Sequence, residues 1–172
     1  MCWSTTRPSQ TQACRRGVGQ SHCVWILVEH QPTQCAAFAT LSRAAVRALA
    51  ERLCDDDPDA IECCVRFVCA DTKGLWHNRG RALMCRRMKH VRLTRDQQRR
   101  IVHAISQRLA SGAFTEQFRD QLRLALRLDP TTTCQVAQRA STSERAHVRR
   151  LAHWVLATVD ARSAGTDACA PS

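Results

Sequence analysis

KGLWHNRGRALMCRRMKHVRLTRDQQRRIVHAISQRLASG, residues 73–112, reads as two helices with a marked boundary between them. Thr94-x-x-Gln97 is a capping box, in which the hydroxyl takes an amide of the first turn and the Gln side chain reaches back to the cap. Behind it Ile101, Val102, Ile105 and Leu109 recur at helical spacing, and Gly112 stands where a left-handed closing residue is wanted. Ahead of it the break Thr72-Lys73-Gly74 opens a helix whose apolar side is Leu75, Trp76, Leu83, Met84, Met88 and Val91, its other faces being Arg. Residues 73–100 hold ten cations and one acid, Asp96, a net +9 of the chain's +11.

The same punctuation continues on both sides. Upstream, Phe38, Leu41, Ala45, Leu49 and Leu53 form the stripe of a first helix that stops at Asp55-Asp56-Asp57. Asp57-Pro58 reads as N-cap and first residue of a second, with Ile61, Cys64, Val65, Val68 and Cys69 inward and Cys63 and Phe67 widening the apolar surface. Downstream, Thr115 is placed to cap a fifth helix with Phe118, Leu122, Ala125 and Leu126 inside. Asp129-Pro130 opens a sixth, with Cys134, Val136 and Ala137 inside. Ser141-x-x-Glu144 reads as another capping box, before a seventh carrying Val148, Leu151, Ala152, Val155, Leu156 and Val159.

The chain has 172 residues, enough for one domain with a real core. Ala, Leu, Arg and Gln dominate, which are strong helix formers. The expected fold is all-α: about seven helices in antiparallel pairs, as an irregular bundle or a short α-solenoid, over 36–162. Residues 1–35 lack helical period and are expected to be disordered, with a short docked strand at 23–28, and 163–172 to be a frayed tail. Residues 17–23 are too polar for a signal-peptide core, and no apolar run approaches the ~18 residues of a membrane span. The cysteines, 11 in number and nowhere spaced C-x-x-C, are expected to be reduced thiols of a cytoplasmic protein.

In the last helix Val148-Arg149, Ala152 and Leu156 resemble the second helix of a HEAT-type repeat. The first helix carries Val46-Arg47 and Ala50 but lacks the matching Leu. The resemblance implies a short α-solenoid whose work is binding rather than catalysis.

Chemistry-bearing constellations are weak. Cys63, Cys64, Cys69, His77, Cys85 and His90 lie close in sequence, as do His22, Cys23, His30 and Cys35, but neither set has the tight paired spacing of a zinc site. No nucleophile elbow, zincin motif or phosphate loop is present, and no two carboxylates suggest an acid–base couple. No cofactor and no metal are expected, and enzyme activity is not. Trp76-His77-Asn78-Arg79 would stack a base if exposed, but Trp76 reads better as a core anchor, with His77 and Asn78 at the surface.

The expected function is therefore that of a non-enzymatic interaction domain. An acidic protein partner would bind a basic face made of Arg79, Arg81, Arg86, Arg87, Lys89, Arg92, Arg95, Arg99 and Arg100. Sequence-nonspecific nucleic-acid binding by the same face is the alternative, and a cysteine-dependent or metal enzyme a weaker one. Against the two readings of the basic face, the 24 Arg among 26 cations in an Ala-rich chain also suit a compositional bias, with the Arg side chains solvated and balanced by the acids of 55–59.

Overall fold

The computed structural model describes Phe38 and residues 40–167, apart from Leu75 and Glu116, and only the backbone of 164–167. The readings placed on 1–35, including the strand at 23–28 and the set His22, Cys23, His30 and Cys35, lie outside the described residues. Seven helices follow: α1 Arg43–Arg52, extended by a 3-10 turn Leu53–Asp55, α2 Pro58–Cys69, α3 His77–Met88, α4 Arg95–Ser111, α5 Phe118–Leu128, α6 Pro130–Ala140 and α7 Ala146–Asp167. No strand occurs among the described residues, and no described helix is long and apolar enough to cross a membrane.

Most of the caps are those the sequence predicts. Thr94 and Gln97 exchange both capping-box bonds, at 3.2 and 3.0 Å, and Gly112 closes α4 at φ 69. Asp57 Oδ1 accepts from the amides of Asp59 and Ala60 at the start of α2. Asp129 Oδ1 accepts from Thr132 N at 2.9 Å, while the Asp129 amide donates to Ala125 O. One residue therefore ends α5 and begins α6.

Three expected boundaries move. α1 starts at Arg43 rather than near 36, because Ser42 Oγ takes the Ala45 amide; Phe38 precedes it and buries edge-on against Phe67. Thr115 caps nothing with its hydroxyl and instead offers its carbonyl to Phe118 N. Ser141 closes α6, its hydroxyl donating to Gln138 O, and α7 starts later, on the Arg145 carbonyl, and runs through Asp167 into the expected tail.

The packing sorts the helices into rows. Near the N-terminal end of α2, Glu62 meets Gln97 and Arg100 near the N-terminal end of α4; at the other end Arg108 of α4 reaches the Cys69 and Ala70 carbonyls. α2 and α4 are therefore parallel. The groove between α4 and α6 runs from Arg95 and Pro130 at one end to Ala110 and Ala140 at the other, so α6 continues the row in the same direction. α1 and α3 are likewise parallel: the early residues Val46 and Gly80 touch, and so do the late residues Ala50 and Arg87. Consecutive helices reverse and alternate helices align, but α3 and α4 barely touch each other.

The core lies between the rows, around Leu49, Phe67, Met84, Ile105, Leu122 and Val155. Its membership departs from the sequence stripes where small or polar residues face in. In α1 Val46 and Ala50 bury rather than Leu41 and Ala45; in α3 Ala82 and Cys85 join Met84 and Met88; in α6 Thr133 and Ala140 bury with Ala137 while Cys134 is half-buried.

Gly80 is where α3 comes closest to α1. A Cβ there would lie 2.7 Å from Val46 Cγ1, and a β-branched side chain in a helix has little freedom to turn away. Gly80→Ala is expected to destabilise by about 1–3 kcal/mol, the cost of overpacking, although Ala is the better helix former. Val46→Ala in the same chain should recover part of that loss, and denaturant melts of the two single variants and the double variant measure the coupling.

Candidate functional site

The basic stretch does not form one free face. Arg81 is 3% exposed. Its Nη2 donates to Ala70 O at 2.8 Å, Thr72 O at 2.7 Å and Thr72 Oγ1 at 2.7 Å, its Nη1 donates to Asn78 Oδ1, and the group lies over the Phe67 ring. Arg87 donates to Ala50 O at 2.6 Å, near the end of α1. Arg86 pairs with Asp120 of α5 at 2.6 Å. Arg100 grips both Glu62 oxygens at 3.0 and 2.8 Å and touches Asp96. Arg99, more exposed, stands 3.8 Å from Asp96. Arg79, Arg92 and Arg95 are exposed and make no ion pair among the described residues, and Lys89 is half-buried. The pairs Arg86–Arg87 and Arg99–Arg100 thus turn to different neighbours. Their main acidic partners are Glu62, Asp96 and Asp120 rather than the acids at 55–59, of which Asp57 pairs with Arg52.

The end of α2 shows why Arg81 leaves the surface. The last carbonyls of a helix have no partner within it and carry the negative end of its dipole. Arg81 from α3 and Arg108 from α4 both close on this end, with Arg108 Nη2 at 3.1 and 2.9 Å from Cys69 O and Ala70 O and its Nη1 on Gln121. Burial, and then the Arg108 charge, bring the Arg81 pKa down to about 10, still cationic at neutral pH. Burial lowers Arg108 as well. His77, expected at the surface, is 1% exposed and packs edge-on to Trp76 and Phe67; burial and then the Arg81 charge hold its pKa down, favouring the neutral ring. Trp76 is half-buried in these contacts.

A second basic cluster escaped the sequence reading. On α5, Arg119, Arg123 and Arg127 recur every fourth residue and form one exposed ridge. On α7, Trp154, Thr158 and Arg162 recur in the same way. The two rows face each other, so α5 and α7 run parallel. A cleft of about 440 Å³ between them is lined by Lys89, Arg123, Leu126, Arg127, Trp154, Thr158 and Arg162, and no carboxylate is among these residues. The guanidinium carbons of Arg119 and Arg123 lie over the Trp154 ring, 5.7 and 5.6 Å from its centroid, a cation–π arrangement. The i, i+4, i+8 spacing of both rows was visible in the sequence. Their juxtaposition was not.

The thiols of α2 and α3 are poor candidates for nucleophiles. Burial pushes those of Cys63, Cys64 and Cys69 up, and that of Cys85 up to about 12, whereas reactivity needs the thiolate. Among the described residues no three His, Cys, Asp or Glu side chains converge as a metal ion would require. No protein-family model matches the chain, and no curated protein or solved structure matches it either. Fold and geometry therefore define, over the described residues, an all-α domain of seven helices with a divided basic surface, and nothing narrower.

Two expectations follow from these contacts. Arg81→Gln should destabilise the fold by about 2–4 kcal/mol, since it strips buried carbonyls of a charged donor, whereas exposed Arg79→Gln should leave the melting curve unchanged. The second concerns acid. Burial raises the Glu62 pKa, but the bonds from Arg100, Gln97 and Arg66 outweigh it and carry the value from 4.5 down to about 2. A depressed carboxylate stabilises the fold above its unfolded pKa, and the contribution is lost as pH falls through the folded value. Glu62→Gln should therefore cost on the order of 2 kcal/mol at pH 7, a figure reduced for partial exposure, and the difference from the parent should vanish between about pH 4.5 and 2. Urea melts across that range measure it.

Proposed function

We propose that the chain is a non-enzymatic interaction domain that binds an acidic protein partner through its basic surface. The observation that carries this reading is the set of exposed cations left over once the fold's own pairs are made. Arg79, Arg92, Arg95 and Arg127 make no ion pair among the described residues, although Glu62, Asp96 and Asp120 are each held by more than one Arg. Exposed cations without an ion pair on a helical frame favour and steer a partner of the opposite sign.

The likeness to HEAT-type repeats belongs to the same proposal. Alternate helices align, and the same contact recurs between them: an Arg late in one helix closes the end of the helix two before it, at a separation of 37 residues for Arg87 with Ala50 and 38 for Arg108 with Ala70. Stacked helix pairs of this kind present extended binding surfaces. The described cysteines, all free thiols, suit a reducing compartment, and we place the protein in the cytoplasm.

Nucleic acid is the second reading, favoured by the share of Arg among the exposed cations, since Arg matches phosphate well. Labelled polyglutamate, duplex DNA and single-stranded RNA titrated over a range of salt separate the two. Our reading expects polyglutamate to bind at about 50 mM salt and the nucleic acids to bind more weakly at equal charge. Tighter duplex binding, with log K falling against log salt by about 0.9 per phosphate contact, would replace it by the second reading. In that case Gln at Arg79, Arg92, Arg95 and Arg99 would flatten the slope by about three to four.

A further inference from the structure

We infer that the cleft between α5 and α7 is the docking site for a short extended segment of a protein, rich in Asp or Glu. This rests on the proposed function and locates its main contact, away from most of the cations the sequence singled out. Three observations carry it. Among the described residues the cleft is lined by Lys89, Arg123, Arg127 and Arg162 and by no carboxylate, and Lys89 and Arg127 make no ion pair there, so an incoming carboxylate meets cations that no described carboxylate holds. Asp120, the partner of Arg123, also accepts from Arg86, so its two oxygens are both used.

The second observation is dimension. From Arg119 to Arg127 an α-helix rises about 12 Å, at 1.5 Å per residue. An extended chain covers that length with about four residues, and their alternating side chains would meet both rows. A cleft of 440 Å³ suits such a segment better than a helix or a folded domain. The half-buried Trp154 side chain gives the segment's apolar atoms a surface, while the cations take its charges.

The third observation is the state of Trp154. A single-stranded nucleic acid would use this ring as a stacking platform. Here the ring already engages the guanidiniums of Arg119 and Arg123. Trp154 pre-organises these cations, lowering the ordering cost of a bidentate carboxylate contact. The arrangement favours carboxylates over bases.

The test uses the full chain and an end-blocked peptide of about eight alternating Asp and Ala residues, with its Asn counterpart and a single-stranded RNA of equal charge as controls. Lys89→Gln with Arg127→Gln is the principal variant, because neither side chain makes an ion pair that holds the fold. Gln at Arg79, Arg92 and Arg95 is the comparison variant. The acidic peptide should bind, change Trp emission in the parent but not in Trp154→Phe, and lose about tenfold or more in affinity in the principal variant, with less than about twofold loss in the comparison variant. Equal binding by parent and principal variant, with loss in the comparison variant, would overturn the cleft and leave the proposed function standing. Binding of RNA but not of the peptide would overturn both.

Discussion

The end of α2 is the constraint on which the arrangement of helices depends. Its last carbonyls point between α3 and α4, into a partly buried region, where unbonded acceptors are costly. Two guanidiniums from two different helices fill that region; burial lowers the pKa of both, and the Arg108 charge lowers that of Arg81 further. Lysine would not reproduce this, because an ammonium has one nitrogen, whereas the planar fork of Arg81 sets Nη2 on Ala70 and Thr72 and Nη1 on Asn78 Oδ1. The device recurs at α1, where Arg87 takes Ala50 O, and at the end of α4, where Arg145 takes the Ser111 carbonyl. Each time a cation placed late in the sequence closes an earlier helix, so the end of one helix is completed only when another has docked.

This changes what a high arginine content means for the molecule. Part of the positive charge is internal structure: it satisfies backbone acceptors and holds rows in register. Another part is neutralised in ion pairs between neighbouring helices, such as Arg100 with Glu62 and Arg86 with Asp120. The remainder is scattered: Arg79 and Arg92 stand at opposite ends of α3, Arg95 opens α4, Arg43, Arg139 and Arg150 are exposed elsewhere, and Lys89 and Arg127 line the α5–α7 cleft. Net charge overstates the surface available for binding.

The line between what was legible in sequence and what was not follows the range of the interactions. Thr94 with Gln97, Asp57 with Pro58 and Gly112 act within one helical turn, and their spacing alone identified them. Ser141 and Thr115 look the same on paper but lost to competing local bonds, to Gln138 O in one case and to the use of a carbonyl in the other. The role of Arg81 was not legible at all. Nothing within a turn of it separates it from Arg79, and only the arrival of α2 and α4 does. The α5–α7 cleft failed for the same reason, since each row is an ordinary amphipathic repeat until the other faces it.

Asp129, which serves both α5 and α6, has a consequence for how the chain tolerates change in length. A link of one residue has no slack. One extra residue there would turn α6 by about 100° about its axis, carrying Ala137 and Ala140 off the face they bury. The longer segments between α2 and α3, α3 and α4, and α6 and α7 can absorb an insertion as a loop; this corner cannot. It sets the phase of the last two helices relative to the first five, and so acts as the point from which the second half of the array is indexed.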